Sequence, residues 1–384
     1  MKIKIEKVAV FGAGEMGHGI AENCAIAGYE VWMRDLTDEA LNRAMARIKE
    51  GLLKLQARGI IKNTEEILER INPTTELENA IKDADLLIEA IPEVFEQKVN
   101  LFSECDKIAR DECIFATNTS TMSITRLSEA TKRRDRFIGM HFFTPVVVME
   151  LVELTKGEKT SEETLKVCEE FVKTLKKRPI VLKKETPGFI VNRVVAPASV
   201  LRLCILEKGI ATPEEVDATC RKAGYVIGPF ELWDYIGLDV VCNAMKYYAR
   251  ELSPEYEPKY LERMIKEGKL GKKSGMGFYD WSRRPEVDLS KATDRVDIRD
   301  FVFLEINEAT KLVEMGVSDP ETIDSAVKLA YGRKKGPFEI ARDYSDDEIC
   351  RRLKELAKKF EKRIFEPAET IRKGKLKELL KNTS

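Results

Sequence analysis

The sequence predicts an α/β Rossmann-type domain followed by two all-α domains that are copies of one another. Three observations carry this expectation. Through the first half, short apolar runs alternate with helical patterns, as in a doubly wound parallel sheet. A glycine-rich turn, Gly12-Ala13-Gly14-Glu15-Met16-Gly17, closes the first run and opens a helix. From Thr186 onward the strand signals stop, and one helical block occurs twice. The implied domains are 1–185, 186–285 and 296–384, with the polar, proline-containing segment 281–295 as the linker.

The strands are read as KVAVFG (7–12), EVWMRD (30–35), DLLIEA (85–90), IFATNT (114–119), RFIGMHFF (136–143), MELVEL (149–154) and RPIVL (178–182). Residues 38–71 read as a long helical excursion with charged faces, on which Lys54, Arg58 and Lys62 share one side. Thr186-Pro187-Gly188 is a turn signal. Within the repeat, Asp217 matches Asp324, Gly228-Pro229-Phe230-Glu231 matches Gly336-Pro337-Phe338-Glu339, and Asp234-Tyr235 matches Asp343-Tyr344.

The bulk composition excludes several function classes. The 384 residues carry a net charge of -1, so no global field draws the chain to nucleic acid or to an anionic membrane. No apolar run approaches the roughly 20 residues that span a bilayer. The start, MKIKIEKVAVFG, has no signal-peptide shape, so a cytoplasmic location is expected. Eight scattered cysteines include no CxxC pair, and with two histidines they offer no metal site; reduced, buried thiols are expected.

In the glycine turn each glycine has a separate reason. The first permits the tight bend, the second lets a pyrophosphate approach the backbone, and the third lets helix and strand pack closely. Free N–H groups at the helix start hold the phosphates. Ala21, Cys24, Ala25 and Gly28 keep the following helix slim. Asp35 ends the second strand, 18 residues after Gly17. A carboxylate there accepts from the adenosine ribose and repels a 2′-phosphate, favouring NAD over NADP, although Arg34 beside it could accommodate that phosphate. On the motif alone FAD is a lesser alternative.

Only His18 and His141 can act as imidazole bases. His18 follows the glycine turn, where a helix-end contact or packing against the cofactor is expected rather than catalysis. His141 ends a buried strand, and Glu153 follows 12 residues later on the next one. A carboxylate on one ring nitrogen fixes the tautomer and raises the basicity of the other, which can then take a hydroxyl proton as hydride departs. From spacing alone, a core histidine satisfied by a buried glutamate fits equally well.

Several ordered motifs now add up to a resemblance. Gly12–Gly17 followed by His-Gly-Ile-Ala, Asn118-Thr119-Ser120, His141-Phe142-Phe143-Thr144-Pro145, Met149-Glu150-Leu151-Val152-Glu153 and Thr186-Pro187-Gly188-Phe189-Ile190-Val191-Asn192-Arg193 resemble the 3-hydroxyacyl-CoA dehydrogenase family, over nearly the whole chain. The doubled helical part is similar to the dehydrogenase portion of multifunctional fatty-acid oxidation enzymes, without their hydratase domain. The resemblance implies an NAD-dependent enzyme that interconverts 3-hydroxyacyl-CoA and 3-ketoacyl-CoA thioesters in fatty-acid β-oxidation or butanoate metabolism. It makes His141 the base, Glu153 its orienting partner, and Ser120 and Asn192 the polar groups around the substrate's 3-oxygen and thioester. For the cofactor it points to Gly12, Ala13, Gly14, Glu15, Met16, Gly17, Asp35, Glu93, Lys98, Ser120, Thr144 and Lys273. Taken singly, Glu93, Lys98 and Lys273 would read as solvated surface charges.

The chain departs from the family pattern in places. Thr144 stands where the family has Asn facing the nicotinamide, and the CoA-contacting Ser and Lys correspond to Gly51 and Arg58. The second helical copy carries Arg299 where the first has Asn192, at a 107-residue offset, and lacks the GKKSG turn that holds Lys273. That copy is therefore read as structural, forming an internal pseudo-dimer within a monomer. Two other functions remain compatible at this level: a sugar-acid or other hydroxy-acid dehydrogenase on the same fold, and a non-catalytic, crystallin-like NAD- or CoA-binding protein.

Overall fold

The computed structural model describes residues 4–381. They fall into two compact units. One runs through Ile190 and takes in Gly316–Lys334; the other comprises Val191–Met315 and the residues from Lys335 onward.

The first unit is built on eight strands: β1 (Lys7–Phe11), β2 (Glu30–Arg34), β3 (Ile71–Thr74), β4 (Leu86–Glu89), β5 (Ile114–Thr117), β6 (Phe137–Phe142), β7 (Leu151–Lys156) and β8 (Arg178–Leu182). Their order is β3-β2-β1-β4-β5-β6-β7-β8. All neighbours are parallel except β6 and β7, which run antiparallel. Strands β4, β5 and β6 are buried along their whole length, which is why they appear in the sequence as unbroken apolar runs. Strand order reverses between β1 and β4, so a crevice opens beyond the carboxyl ends of those two strands.

Helix α1 (Glu15–Ile26) lays Ile20, Ala21, Cys24 and Ala25 on the sheet, all without exposed surface. The excursion expected over 38–71 is not one helix. It divides into α2 (Asp38–Ala57) and α3 (Thr64–Leu68) and then becomes β3. Gly59, at φ 70°, turns the chain out of α2, and Asn63 caps α3 by accepting from Glu65 N–H. Arg58 is thus the C-cap of α2 and Lys62 lies beyond it, so Lys54, Arg58 and Lys62 do not share a helical face. The short strand β3 escapes the sequence reading because Pro73 lies within it; an edge strand tolerates that proline. Helices α4 (Leu77–Ile81), α5 (Phe95–Asp106), α6 (Ile124–Ser128) and α7 (Glu162–Thr174) complete the crossovers. All eight cysteines of the chain are buried and free.

The second unit starts with α8 (Val191–Glu207), α9 (Pro213–Lys222), α10 (Pro229–Ile236), α11 (Leu238–Glu251) and α12 (Lys259–Lys266). The repeated motif has a structural purpose here. Buried Asp217 accepts from the Phe230 and Glu231 N–H groups at the start of α10, each at 2.9 Å, and from the Tyr279 hydroxyl at 2.8 Å. Burial pushes its carboxyl up to about 6. Asp234 in turn accepts from Phe278 N, Tyr279 N and Trp281 Nε1. The segment 281–295 is tied down rather than loose: Thr293 N–H donates to Thr219 at 2.9 Å, and Lys291 pairs with Glu214 at 2.5 Å.

Helix α13 (Ile298–Glu314) packs along α8, with Arg193 Nε 2.5 Å from Glu308 Oε1. Helix α14 (Pro320–Tyr331), although it begins the second copy of the motif, belongs to the first unit and packs on β7 and β8. Lys183 N–H donates to Val317 O at 2.9 Å, and its ammonium lies 3.3 Å from Asp319. Helices α15 (Pro337–Ala341), α16 (Asp346–Phe360), α17 (Glu369–Arg372) and α18 (Leu376–Lys381) return to the second unit.

Candidate active site

The glycine turn lies at the switch point. Gly12 has φ 101°, and a Cβ there would lie 2.5 Å from Ala90 O at the end of β4. A Cβ on Gly17 would lie 1.7 Å from Gly12 O. These two glycines are therefore demanded by the fold itself. Around Gly14 the opposite holds: a Cβ would meet nothing within 4 Å. That open space beside the first turn of α1 is where a pyrophosphate would approach the N–H groups, so the cradle fits a dinucleotide. Asp35, just past β2, takes the Ala13 N–H at 2.6 Å on Oδ2 and the Leu36 N–H at 2.6 Å on Oδ1. It orients the turn and remains an acceptor with lone pairs to spare for a ribose. His18 Nδ1–H donates to Gly14 O at 2.7 Å, the helix-end contact that is one of the two expectations for it.

Glu93, Lys98 and Ser120 belong to one polar network after β4 and β5. Lys98 is 1% exposed and lies 2.5 Å from Glu89 and 3.0 Å from Glu93. The surface-charge reading therefore fails for Lys98. Burial opposes its charge, but the two carboxylates outweigh this and raise its pKa. Glu89, wholly buried, is pushed up by burial against the pull of Lys98. Glu93 is also opposed by burial, yet Lys98 and the Thr119 hydroxyl hold it below the ordinary carboxylate range. Its Oε1 accepts from the Thr119 and Thr121 hydroxyls and from Ser120 N–H at 3.2 Å. The network thereby fixes the loop that presents Ser120. Glu89 was not among the residues singled out from sequence, although a carboxylate inside the apolar run DLLIEA is a readable signal.

His141 and Glu153 face each other across the single antiparallel pair of the sheet, as direct register partners on β6 and β7. His141 Nδ1 lies 2.8 Å from Glu153 Oε2, and Glu153 Oε1 accepts from Ile190 N–H at 3.1 Å. The imidazole is 6% exposed, Glu153 not at all. With Nδ1–H donating to the Glu153 carboxylate, Nε2 is the nitrogen left to act as base. Phe143 and Phe189 flank the imidazole, with ring centroids 4.5 Å and 5.7 Å away. Asn118 ties the neighbouring strand to this place: its Oδ1 accepts from Phe142 N–H at 2.8 Å, two residues before Ser120. After Phe143 the chain turns through Thr144, whose hydroxyl lies 2.9 Å from Met16 Sδ of α1.

In the second unit, Asn192 occupies the first turn of α8, half-buried, beside the paired Arg193. Lys273 lies in a tight turn, Lys272–Ser274, 2.5 Å from Asp239. Arg299, at the position corresponding to Asn192, is an exposed partner of Asp297 at 2.7 Å. In the first unit, Arg58 is exposed at the end of α2.

Residues 7–186 match the model of the 3-hydroxyacyl-CoA dehydrogenase NAD-binding domain, and residues 188–281 and 301–382 both match the model of the C-terminal domain of that family. The chain belongs to the 3-hydroxyacyl-CoA dehydrogenase family. Among similar proteins of this family, the pig mitochondrial hydroxyacyl-coenzyme A dehydrogenase is 39% identical over 291 residues, covering 73% of this chain and 92% of the relative. A 3-hydroxybutyryl-CoA dehydrogenase of Clostridioides difficile is 38% identical over 72% of this chain and its own full length. The crystal structure of an Escherichia coli K12 3-hydroxybutyryl-CoA dehydrogenase superposes with a TM-score of 0.88 at 28% identity, covering 98% of this chain and 99% of that one.

Proposed function

We propose that this chain is an NAD-dependent (S)-3-hydroxyacyl-CoA dehydrogenase that interconverts 3-hydroxyacyl-CoA and 3-ketoacyl-CoA. The observation that carries the reading is the buried, carboxylate-tethered His141, on the sheet whose switch point bears the open glycine cradle. The dinucleotide supplies the hydride acceptor. His141 Nε2 takes the proton of the 3-hydroxyl while the C3–H bond breaks, and Glu153 stabilises the imidazolium that forms. Ketone reduction runs the same path backward, with His141 as the acid. The Ser120 hydroxyl and the Asn192 amide can each donate to the 3-oxygen or the thioester carbonyl as charge develops there. Asp35, Glu93, Lys98, Thr144 and Lys273 serve the cofactor, and Arg58 meets a CoA phosphate.

The direct test is turnover of acetoacetyl-CoA with NADH and NADPH in parallel, against free 3-oxo acids. NADH-dependent reduction of the thioester is expected; reduction of the free acids alone would refute the CoA reading. A cytoplasmic location, a role in fatty-acid β-oxidation or butanoate metabolism, and a monomer carrying its own pseudo-dimer of helical copies complete the proposal. Among the described residues no helix is long and apolar enough to cross a membrane.

A further inference from the structure

Lys177 is a buried cation that the reading above does not use. It lies between α7 and β8, and it is 7% exposed. Its ammonium donates to two backbone carbonyls, Val146 O at 2.5 Å and Met149 O at 2.7 Å. Those carbonyls belong to one tight turn, in which Val148 N–H and Met149 N–H both donate to Pro145 O at 3.0 Å and 2.9 Å. A cation at the free carbonyls of a turn is favourable, and charge-assisted bonds of this kind are the stronger ones.

The other side of the same turn rests on α1. A Cβ on Gly19 would lie 2.9 Å from Val146 Cβ, so the bare backbone of α1 is the seat for that side chain. Thr144 reaches Met16 one turn earlier on α1. The turn is therefore held between α1 and Lys177. It also joins the strand that carries His141 to the strand that carries Glu153.

We propose that Lys177 is a positioning residue for the dehydrogenase reaction: through the Val146 and Met149 carbonyls it holds the Thr144–Met149 turn against α1, and so sets how Thr144 and Met16 are presented to the dinucleotide. The inference rests on the cofactor site assigned above. The groups facing the ammonium are few. Cys24 on α1 has its thiol pushed up to about 12 by burial, so it stays neutral. Glu150, paired with Arg178 at 3.3 Å, lies on the strand side. With so little countercharge, burial brings Lys177 down to about 8, although the Glu150 carboxylate opposes the shift.

The test measures NADH dissociation constants by fluorescence, with kcat and KM for acetoacetyl-CoA alongside. Lys177→Met keeps most of the length of the side chain, short of its terminal atom, and removes the charge. It is expected to weaken NADH binding at least about tenfold while the KM for acetoacetyl-CoA changes far less, and Lys177→Arg is expected to recover much of the loss. A wild-type NADH affinity that falls as pH rises through about 8, against a flat profile for the permanently charged Lys177→Arg, would support the same role. Should Lys177→Met fail to fold, Gly19→Ala presses on the turn from the opposite side and is expected to weaken NADH binding with Lys177 intact. Wild-type NADH affinity in a folded Lys177→Met, or in Gly19→Ala, overturns the proposal. Absence of acetoacetyl-CoA turnover in the wild-type protein would instead count against the activity, and would leave the NADH comparison readable.

Discussion

Two buried acidic groups illustrate what a single residue can be asked to do. Glu153 has both oxygens engaged, one with His141 and one with the Ile190 N–H, so its charge is matched by hydrogen bonds. His141→Gln is accordingly expected to lower kcat by about 10²–10⁴ while NADH binding, measured by fluorescence, is retained. Unchanged turnover would remove His141 from the mechanism. Glu22 on α1 is the contrary case. It is 4% exposed, its Oε1 has no hydrogen-bond partner, and burial pushes its carboxyl up to about 7. Gly51 of α2 leaves it room, since a Cβ there would lie 2.6 Å from that oxygen. The sign of its linkage follows. Below about pH 4.5 folded and unfolded chains both hold the proton. Between 4.5 and 7 the unfolded chain releases it first, so stability falls as pH rises, and above 7 the loss is complete at roughly 3 kcal/mol. Glu22→Gln removes the ionisation. It is expected to raise the denaturation free energy at pH 8 by roughly 3 kcal/mol and at pH 5 by no more than about 1 kcal/mol. Equal gains at both pH values would show that Glu22 does not titrate in this window.

Among the elements, the β1–α1 turn separates structural from ligand-facing demands within six residues. A Cβ at Gly17 collides with the Gly12 carbonyl, whereas one at Gly14 projects into open space. Gly17→Ala is therefore expected to lower the thermal midpoint by several degrees, as a steric clash of a kcal/mol or more would. Gly14→Ala should leave that midpoint within about a degree and weaken NADH binding instead. Identical effects of the two changes would contradict the cradle. This element was legible in the sequence because its constraints are local: each glycine answers to a neighbour within the turn or one strand away. The pairing of His141 with Glu153 was only half legible. Twelve residues of separation permit it, but the antiparallel register of β6 and β7 decides it, and no local signal states that a parallel sheet will reverse at that point. Lys98 and Lys177 were opaque for a related reason. A lysine in a charged stretch reads as solvated, and only tertiary contacts with Glu89 and Glu93, or with the Val146 and Met149 carbonyls, bury it. Strand β3 was hidden by Pro73, and the break in 38–71 by reading periodicity across Gly59 and Asn63, whose turn chemistry outweighs it.

On the scale of the molecule, the duplication accounts for how the helical part covers its own apolar surface. Each copy opens with a long helix, α8 or α13, and these two pack together inside one unit. Phe301, Phe303, Leu304 and Ile306 of α13 and Val194, Ala198 and Leu201 of α8 are all buried. Such a surface on a lone copy would be an exposed apolar patch that needs a partner. In this chain α8 and α13 pack against each other, and the contact also encloses charge. Arg193 Nε lies 2.5 Å from Glu308, both nearly inaccessible, and Lys311 approaches the other carboxylate oxygen at 3.5 Å. The Arg202 guanidinium stacks over Phe301, 5.3 Å from its centroid. Light scattering on a size-exclusion column is expected to give the 43.7 kDa mass of one chain, with a thermal midpoint independent of concentration. Glu308→Ala would withdraw the shared carboxylate from Arg193 and Lys311 and should cost about 3–5 kcal/mol of stability, the range for breaking a buried ion pair. If the chain is instead an obligate dimer whose assembly Glu308→Ala abolishes, α8 and α13 serve an interface between copies, and the internal pseudo-dimer is wrong.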